Sequence, residues 1–233
     1  MYTGDPQSQG IHDTSVEAFL PQITVRRHWL LYFSLILAIG ISLYLGMKFQ
    51  HGREQKRSVS VAEKAYGLVM YDYQQEQNGR FNDQAPQPPL TVLSRVFGFH
   101  AEHSVVFVDL DSGQVTDETM AGLTGFRDLE VLHISNTSIS DQGLAVVSKF
   151  PALRVLTLNT NGLSENALKY VVISSALEEL EVHNFKITDI GVMRLSQMQN
   201  LRRLYLEGTD ISKLGIEKLR AAMPKCEIDL YPE

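Results

Sequence analysis

The sequence repeats itself every 24 residues from Val105 onward, and this period limits the folds open to the chain. Val105 is followed at that spacing by Leu129, Leu153, Leu177 and Leu201. The second copy, LEVLHISNTSISDQGLAVVSKFPA, shows the pattern most clearly. A period of this length indicates one small structural unit that stacks on copies of itself, because such a unit cannot bury its apolar face alone.

Each copy opens with the alternation of a β-strand. The fourth and sixth places are apolar in every copy, which predicts that they face the core. These pairs are Val108 and Leu110, Leu132 and Ile134, Leu156 and Leu158, Leu180 and Val182, and Leu204 and Leu206. Side chains alternate across a strand, so the third, fifth and seventh places face the other way.

A short helix is predicted to follow each strand. The twelfth place always carries a hydroxyl, which predicts an N-cap that accepts from free N–H groups of the first helical turn. These hydroxyls belong to Thr116, Ser140, Ser164, Thr188 and Ser212. Aspartate follows three of them (Asp117, Asp141, Asp189), where a negative charge suits the helix dipole. Apolar pairs spaced i, i+3 then give the helix one buried side.

A strand, a turn and a helix within 24 residues, with leucines spaced as LxxLxL, resemble the leucine-rich repeat. The phrase from Thr137 to Leu144 is similar to bacterial leucine-rich repeats and to those of eukaryotic F-box proteins. The resemblance implies an α/β solenoid of about five strand-turn-helix repeats over residues 105–224. Ile228 and Leu230 continue the strand period without a helix, so residues 225–233 are predicted to form a capping strand.

An uncharged segment precedes the repeats. Residues 29–47 contain 19 residues without a charge, about 28 Å as a helix, which matches the hydrocarbon thickness of a bilayer. Trp29, Tyr32 and Tyr44 lie towards its ends, where amphipathic rings favour the interface. This predicts one transmembrane helix at 29–47 after a flexible polar tail at 1–28. A signal peptide fits less well, because the run is long and no A-x-A site follows.

The charges that flank this segment predict its orientation. Arg26 and Arg27 precede it, and four basic residues follow it: Lys48, Arg53, Lys56 and Arg57. By the positive-inside rule, this small margin favours a cytoplasmic repeat domain. The sequence therefore predicts a single-pass membrane protein, with the charge count favouring repeats on the cytoplasmic side. Residues 48–66 are predicted to be a basic juxtamembrane helix or linker whose charges face anionic headgroups.

Residues 67–104 are predicted to cap the array. GLVMYDYQ (67–74) alternates as a strand, residues 77–89 carry the Asn-Gly and prolines of a loop, and residues 90–98 fit a short helix. This order, ahead of the first repeat, is similar to a group of bacterial membrane-anchored leucine-rich repeat proteins. The resemblance implies that the segment covers the apolar edge of the first repeat.

The outward places of the strands form the candidate binding surface, predicted to be a concave sheet face. It mixes aromatic, acidic and hydrogen-bonding side chains, so it predicts a protein partner that offers basic and hydrogen-bonding groups. The candidate residues are Phe107, Asp109, Val131, His133, Val155, Thr157, Glu179, Glu181, His183, Arg203, Tyr205 and Glu207.

Several kinds of site are not expected. Acidic residues outnumber basic ones by six from position 104 onward, which is the whole net charge of −6 and argues against a nucleic-acid surface. His133 and His183 are two repeats apart, about 10 Å at the usual strand spacing, too far for one metal ion. We expect His100 and His103 to be a surface pair in the cap. No nucleophile accompanies Glu179 and Glu181, so no catalytic site, metal or cofactor is predicted.

The sequence therefore predicts a non-enzymatic, membrane-anchored leucine-rich repeat protein that mediates protein–protein interaction through its strand face. Two other functions stay open. One is an F-box-type adaptor of a larger enzyme complex, although no F-box-like segment precedes the repeats and a transmembrane span is unusual for such adaptors. The other is a hydrolase whose site would lie on the acidic strand face. The partner, the oligomeric state and the physiological process are left open.

Overall fold

The computed structural model describes residues 21–184 and 186–231, and it describes the side chains of residues 29–184 and 186–230. The chain divides into two compact units, Met1–Met47 and Lys48–Glu233. Residues 1–20 of the predicted tail and residues 232–233 of the predicted capping strand lie outside the described residues.

The first helix is longer than the sequence predicts. Helix α1 comprises Pro21–Lys64, so residues 21–28 are helical and not part of a tail. Pro21 occupies the first helical position, where the missing N–H of proline has no cost. Most side chains of residues 29–47 are apolar and exposed. By length and composition this helix could cross a membrane, a test that a signal sequence also passes.

The second unit is built on one seven-stranded sheet in the order β1 to β7. The strands are β1 (Leu68–Tyr71), β2 (Val105–Asp111), β3 (Val131–Ser135), β4 (Val155–Asn159), β5 (Glu179–His183), β6 (Arg203–Glu207) and β7 (Glu227–Tyr231). Strands β2 to β7 are parallel, and neighbouring strands pair residues that are 24 positions apart. Strand β1 pairs antiparallel with β2 and covers that edge of the array.

Short helices follow the strands. They are α2 (Val92–Phe97), α3 (Asp117–Gly122), α4 (Asp141–Leu144), α5 (Leu168–Val171), α6 (Asp189–Leu195) and α7 (Lys213–Ala222). The 3-10 turns Phe99–Ala101 and Ala145–Lys149 follow α2 and α4, Glu165–Ala167 precedes α5, and Asp72–Gln74 directly follows β1. The predicted helix at 90–98 corresponds to α2.

The core lies between the sheet and the repeat helices. The fourth- and sixth-place residues of β2 to β6 are buried, together with Leu129, Leu153, Leu177 and Leu201. The predicted apolar sides of the helices are buried as well, apart from the half-buried Ile216. The chain therefore has the α/β solenoid fold of leucine-rich repeats, with strands in register at 24 residues.

The predicted N-caps are confirmed in all five repeats. Each hydroxyl accepts a hydrogen bond from a backbone N–H of the first helical turn. The third repeat differs, because a 3-10 turn, Glu165–Ala167, precedes its helix. Its cap, Ser164, still accepts from the Asn166 N–H. Capping satisfies N–H groups that no helical carbonyl can reach.

The acid after each of the first four caps also joins neighbouring repeats. Asp117 accepts from the Ser140 N–H at 2.8 Å and from the Ser140 hydroxyl at 2.6 Å. The same two bonds link three further pairs: Asp141 with Ser164, Glu165 with Thr188, and Asp189 with Ser212. We call these four contacts the carboxylate joints. The sequence predicted only a helix-dipole role for these aspartates, and it did not predict the bonds between repeats.

A glycine leaves room for the joint. A Cβ added at Gly143 would lie 2.2 Å from Oδ1 of Asp117, and one at Gly215 would lie 2.2 Å from Oδ1 of Asp189. These distances are far below van der Waals contact, so a side chain would displace the carboxylate. In the D-x-G phrase, the aspartate therefore bonds to the N-cap of the next repeat, and the glycine leaves space for the carboxylate of the previous repeat.

The C-terminal part of α1 packs against the first repeat. Residues 48–66 were expected to be a basic segment facing headgroups, but Gln55, Ser58, Val59 and Ala62 of α1 are buried against the first repeat. The Ser58 hydroxyl donates to the Gly122 carbonyl at 2.8 Å and accepts from the Gly125 N–H at 3.0 Å. The buried side of α1 therefore covers the first repeat together with the predicted cap at residues 67–104.

An aromatic cluster fills the rest of the cap. The rings of Tyr71, Tyr73, Phe99, His100 and His103 contact one another, and the His103 ring nitrogen Nδ1 lies 3.1 Å from an Asp72 carboxylate oxygen. Burial, with the nearby Glu63 and Tyr73, raises the pKa of Tyr71 to about 12. Burial and then Lys56 lower the pKa of His100, which favours a neutral ring. Both histidines thus have packing roles here.

Candidate partner-binding surface

The candidate residues lie on the side of the sheet that faces away from the helices, here called the open sheet face. The 24-residue register stacks them in three rows, one for each outward place. The third-place row contains Phe107, Val131, Val155, Glu179 and Arg203; the fifth-place row contains Asp109, His133, Thr157, Glu181 and Tyr205; the seventh-place row includes His183 and Glu207. All twelve predicted residues thus belong to one surface.

The N-terminal part of this face is apolar. Phe107, Val131 and Val155 are neighbours in one row and are half-buried. The ring of Phe81 packs 4.9 Å from that of Phe107, and the His133 ring meets Phe107 edge-on at 5.1 Å. Phe107 is therefore partly covered by the chain itself.

The loop that carries Phe81 was not predicted to touch this surface. Phe81 pairs with Gln75 through an isolated β-bridge, which holds the loop near the start of the array. The sequence marked residues 77–89 only as a loop by their glycine and prolines. The aromatic Phe81 within a glycine- and proline-containing loop was the feature of the sequence that could have indicated packing against the sheet.

The C-terminal part of the face is a network of paired charges. Glu179 forms a salt bridge with Arg203, and the hydrogen bond and charge of Glu179 raise the pKa of that guanidinium. A ring nitrogen of His183 lies 2.6 Å from the Glu207 carboxylate, and the other lies 4.0 Å from Glu181. The acids predicted to attract a basic partner are thus largely occupied by residues of the same face.

Two further contacts complete this network. The Thr157 hydroxyl donates to Glu181 at 3.2 Å, and the ring of His183 lies 5.0 Å from that of Tyr205. Side chains from three neighbouring strands therefore hold one another in place. A partner that docks here meets a surface that is already ordered, which lowers the entropy cost of binding.

A ladder of alternating charges runs along the second places of the repeats, and the sequence analysis missed it. Its members are Glu130, Arg154, Glu178 and Arg202. Arg154 and Arg202 lie 3.1 Å and 3.7 Å from the Glu178 carboxylate. The hydrogen bond from Arg154 lowers the pKa of Glu178. The alternation of sign at 24-residue spacing was the signal that would have revealed it.

A depression of about 450 Å³ lies beside this ladder. Its lining consists of the four ladder residues with Ala152, Ser175, Ala176 and Asn200. Charged pairs at such an exposed site contribute little stability, typically below about 1 kcal/mol each. The ladder therefore affects the surface potential and the register of neighbouring repeats more than the free energy of unfolding.

The residues described in the structure contain no group of three or more His, Cys, Asp or Glu side chains placed to hold a metal ion. His133 packs against Phe107, whereas His183 pairs with Glu207. The two histidines thus have separate neighbours, which fits their separation by two repeats.

The comparisons with known proteins add little to this description. No protein-family model matches the sequence, and no curated protein sequence matches it. Among solved structures, an internalin from Listeria monocytogenes aligns at 20% identity over 48% of this chain and 32% of its own, with a TM-score of 0.39. The tropomodulin C-terminal domain of Caenorhabditis elegans aligns at 19% identity over 52% and 83%, with a TM-score of 0.41.

A leucine-rich repeat protein of Leptospira interrogans aligns at 28% identity over 46% of this chain and 27% of its own, with a TM-score of 0.35. The chain thus matches about a third of the internalin chain and less of the Leptospira protein. Similarity at this level does not support an argument about function. The assignment of the fold rests on the strand register, the buried leucines and the N-caps.

Proposed function

We propose that this protein is a non-enzymatic, membrane-anchored interaction module. Residues 29–47 span the bilayer, and the repeats present the open sheet face to a protein partner. No cofactor, metal or nucleic acid takes part. The partner is recognised by shape and by an apolar contact, with charged side chains around it.

The apolar strip on the open sheet face is the observation that carries this proposal. Val131 and Val155 are half-buried at the middle of a surface whose other rows are polar. An interface typically has an apolar centre and a polar rim, and the strip with its neighbours Asp109, His133 and Thr157 has that arrangement. A partner of fitting chemistry places an apolar side chain over the two valines and hydrogen-bonding groups around them.

Site-specific photo-crosslinking tests the interface. A photoreactive amino acid is placed at Thr157, on the open sheet face, and at Met193, a control that is 69% exposed on α6. In membranes from cells that make the protein, we expect a discrete adduct from position 157 and none from position 193. The substitution Val155→Asp should abolish the adduct, since a charge in the apolar centre cannot be paired. Equal crosslinking from both positions would contradict the proposed surface.

Membrane anchorage is tested separately by deletion of residues 29–47. The full chain should stay in the membrane pellet at high pH, and the deleted chain should move to the supernatant because its apolar span is gone. A pellet that keeps the deleted chain would remove the anchor from the proposal and leave the open sheet face to be judged on its own.

The proposed orientation places the repeats in the cytoplasm, on the basis of the charges around the span. Tags at the N-terminus and after Glu233 report it through protease accessibility in intact cells. We expect that only the N-terminal tag is reached from outside. A C-terminal tag that is cleaved in intact cells would reverse the orientation and direct the search to extracellular or envelope partners.

The alternatives gain no support from the site. Glu179 is paired with Arg203, and Glu181 accepts a hydrogen bond from Thr157, so neither carboxylate of the hydrolase alternative is free to face a substrate alone. Nothing about the repeats points to an F-box-type adaptor in preference to another interaction protein.

A further inference from the structure

Helix α2 presents its apolar side chains to solvent. Ser94 is its buried residue, whereas Val92 is 76% exposed and Val96 is 65% exposed. Leu90 and Leu93 are exposed next to them. A helix on a soluble surface normally buries its apolar side and exposes its polar one, so this arrangement is inverted. Contiguous exposed apolar residues of this kind mark a contact with another molecule or with a membrane.

The geometry of α2 is well supported despite this exposure. The Thr91 side chain caps the helix by accepting from the Ser94 N–H at 3.1 Å. The Thr91 hydroxyl also lies 2.6 Å from the Glu102 carboxylate. Specific hydrogen bonds of the N-cap therefore fix the start of the helix that carries these exposed apolar residues.

One contact ties α2 to a particular place in the chain. The Phe97 ring at the end of α2 packs edge-on against Phe49 at 6.1 Å. Phe49 follows the uncharged segment 29–47 by only two residues. If residues 29–47 cross a bilayer, the bilayer surface at Met47 is therefore close to Phe49 in sequence. Helix α2 packs directly on Phe49 through Phe97.

Three basic residues lie around this patch, and Glu102 beside the Thr91 cap is the acidic residue near it. The Arg53 guanidinium lies over the Phe49 ring at 5.5 Å, Arg95 is exposed on α2, and Lys48 precedes Phe49. Apolar side chains flanked by Arg and Lys are the composition of helices that lie in the headgroup region of a bilayer with anionic lipid. A protein partner would more often be met by aromatic residues with a polar rim.

We propose that α2 lies in the interface of the bilayer that residues 29–47 cross, with Leu90, Val92, Leu93 and Val96 inserted among the lipids. This inference rests on the membrane anchorage proposed above. It gives the protein a second membrane contact, about 45 residues beyond the span in sequence. The basic residues then face lipid phosphates at the same depth.

Depth-dependent fluorescence quenching of the full chain tests the proposal. In a Cys226→Ser background, single cysteines at Val92 and Val96 are labelled with an environment-sensitive dye, and the protein is reconstituted into vesicles of phosphatidylcholine and phosphatidylglycerol. The phosphatidylcholine carries bromine near the top of its acyl chains. Position 193, on α6, is the exposed control, and position 36, within the uncharged segment and 68% exposed, reports the anchor.

We expect about twofold quenching at positions 92 and 96, as for groups that enter the boundary between headgroups and acyl chains, and no change at position 193. Quenching at position 36 without quenching at 92 and 96 would overturn the inference and leave the anchor intact. No quenching at position 36 would overturn the anchor and the inference together. A blue-shifted emission at position 92 that bromine does not quench would mean that a second copy of the protein covers α2, which also overturns the proposal.

Discussion

Gln55 of helix α1 is the residue whose replacement best tests how the array is capped. It is fully buried, and its amide spans the gap between α1 and the first repeat. Its Nε2 donates to the His103 carbonyl at 2.7 Å, and its Oε1 accepts from the Val105 N–H at 3.0 Å. In Gln55→Leu the apolar volume is kept, while these two hydrogen bonds and a longer one from Nε2 to the His100 carbonyl, at 3.4 Å, are lost.

The expected loss of stability depends on whether the former partners of Gln55 can form hydrogen bonds with water instead. Val105 is fully buried, so its N–H stays unsatisfied, which costs about 1–3 kcal/mol. His103 is only half-buried, and its carbonyl can turn to water at little cost. We therefore expect a loss of about 2 kcal/mol, which is roughly a 30-fold change in the opening equilibrium.

Hydrogen exchange of the full chain in detergent micelles locates this loss. Repeats contact mainly their neighbours, so damage at the cap should be felt most in the first strand and should fade along the array. We expect amides of β2 to lose about 30-fold in protection, whereas those of β6 change little. The readout is mass spectrometry of peptides that cover each strand.

Gln50→Leu is the matched control. Gln50 is exposed on the same helix, and its Nε2 donates to the Glu54 carboxylate at 2.9 Å. Its replacement should change stability by less than about 0.5 kcal/mol. The reasoning fails if β2 keeps its protection in Gln55→Leu. It also fails if the control loses as much, because leucine in the helix and not the Val105 N–H would then be responsible.

Three other substitutions test the joints and the ladder. Gly143→Ala should lower stability by about 1–3 kcal/mol in thermal unfolding, because its Cβ would overlap the Asp117 carboxylate, whereas Gly113→Ala, with only one atom as near as 4.0 Å, should be neutral. Hydrogen bonds from the next N-cap lower the pKa of Asp189, so this group stabilises the fold above its unfolded pKa of about 3.8 and loses that effect as the pH falls through its folded pKa. Asp189→Asn should therefore flatten the acid side of a pH titration of stability, and an unchanged profile would contradict this. Glu178→Gln should cost less than about 1 kcal/mol, with the difference vanishing at high salt, because the pairs are exposed.

The repeats could be predicted from the sequence because each feature occurs five times. A hydroxyl such as Ser140 is ambiguous alone, but its recurrence before an apolar i, i+3 pair identifies an N-cap. The inward and outward sides of the strands followed from the same recurrence. Leu132 and Ile134 are buried and His133 is on the open sheet face, as alternation requires.

The long-range contacts of the cap and the carboxylate joints could not be predicted, for two different reasons. Gln55 and Phe81 occur once each and act on residues 50 and 26 positions away, so no local pattern points to their contacts. Asp117 recurs, but its position next to an N-cap has a sufficient local explanation in the helix dipole. Only the coordinates show that its carboxylate reaches forward to Ser140.

The carboxylate joints give the array a direction. The second, third and fourth repeats each receive a carboxylate from the repeat before and offer one to the repeat after, so such a repeat is exchangeable only if it carries both the hydroxyl and the acid. Lys213 stands at the acid position of the fifth repeat and offers a cation instead. The N-cap hydroxyl of a helical repeat grafted after β7 would therefore have no carboxylate to donate to. A repeat inserted in register between Asp117 and Ser140 would receive the Asp117 carboxylate at its own N-cap and offer its own acid to Ser140. The protein can be lengthened from within but not by simple addition at the β7 side.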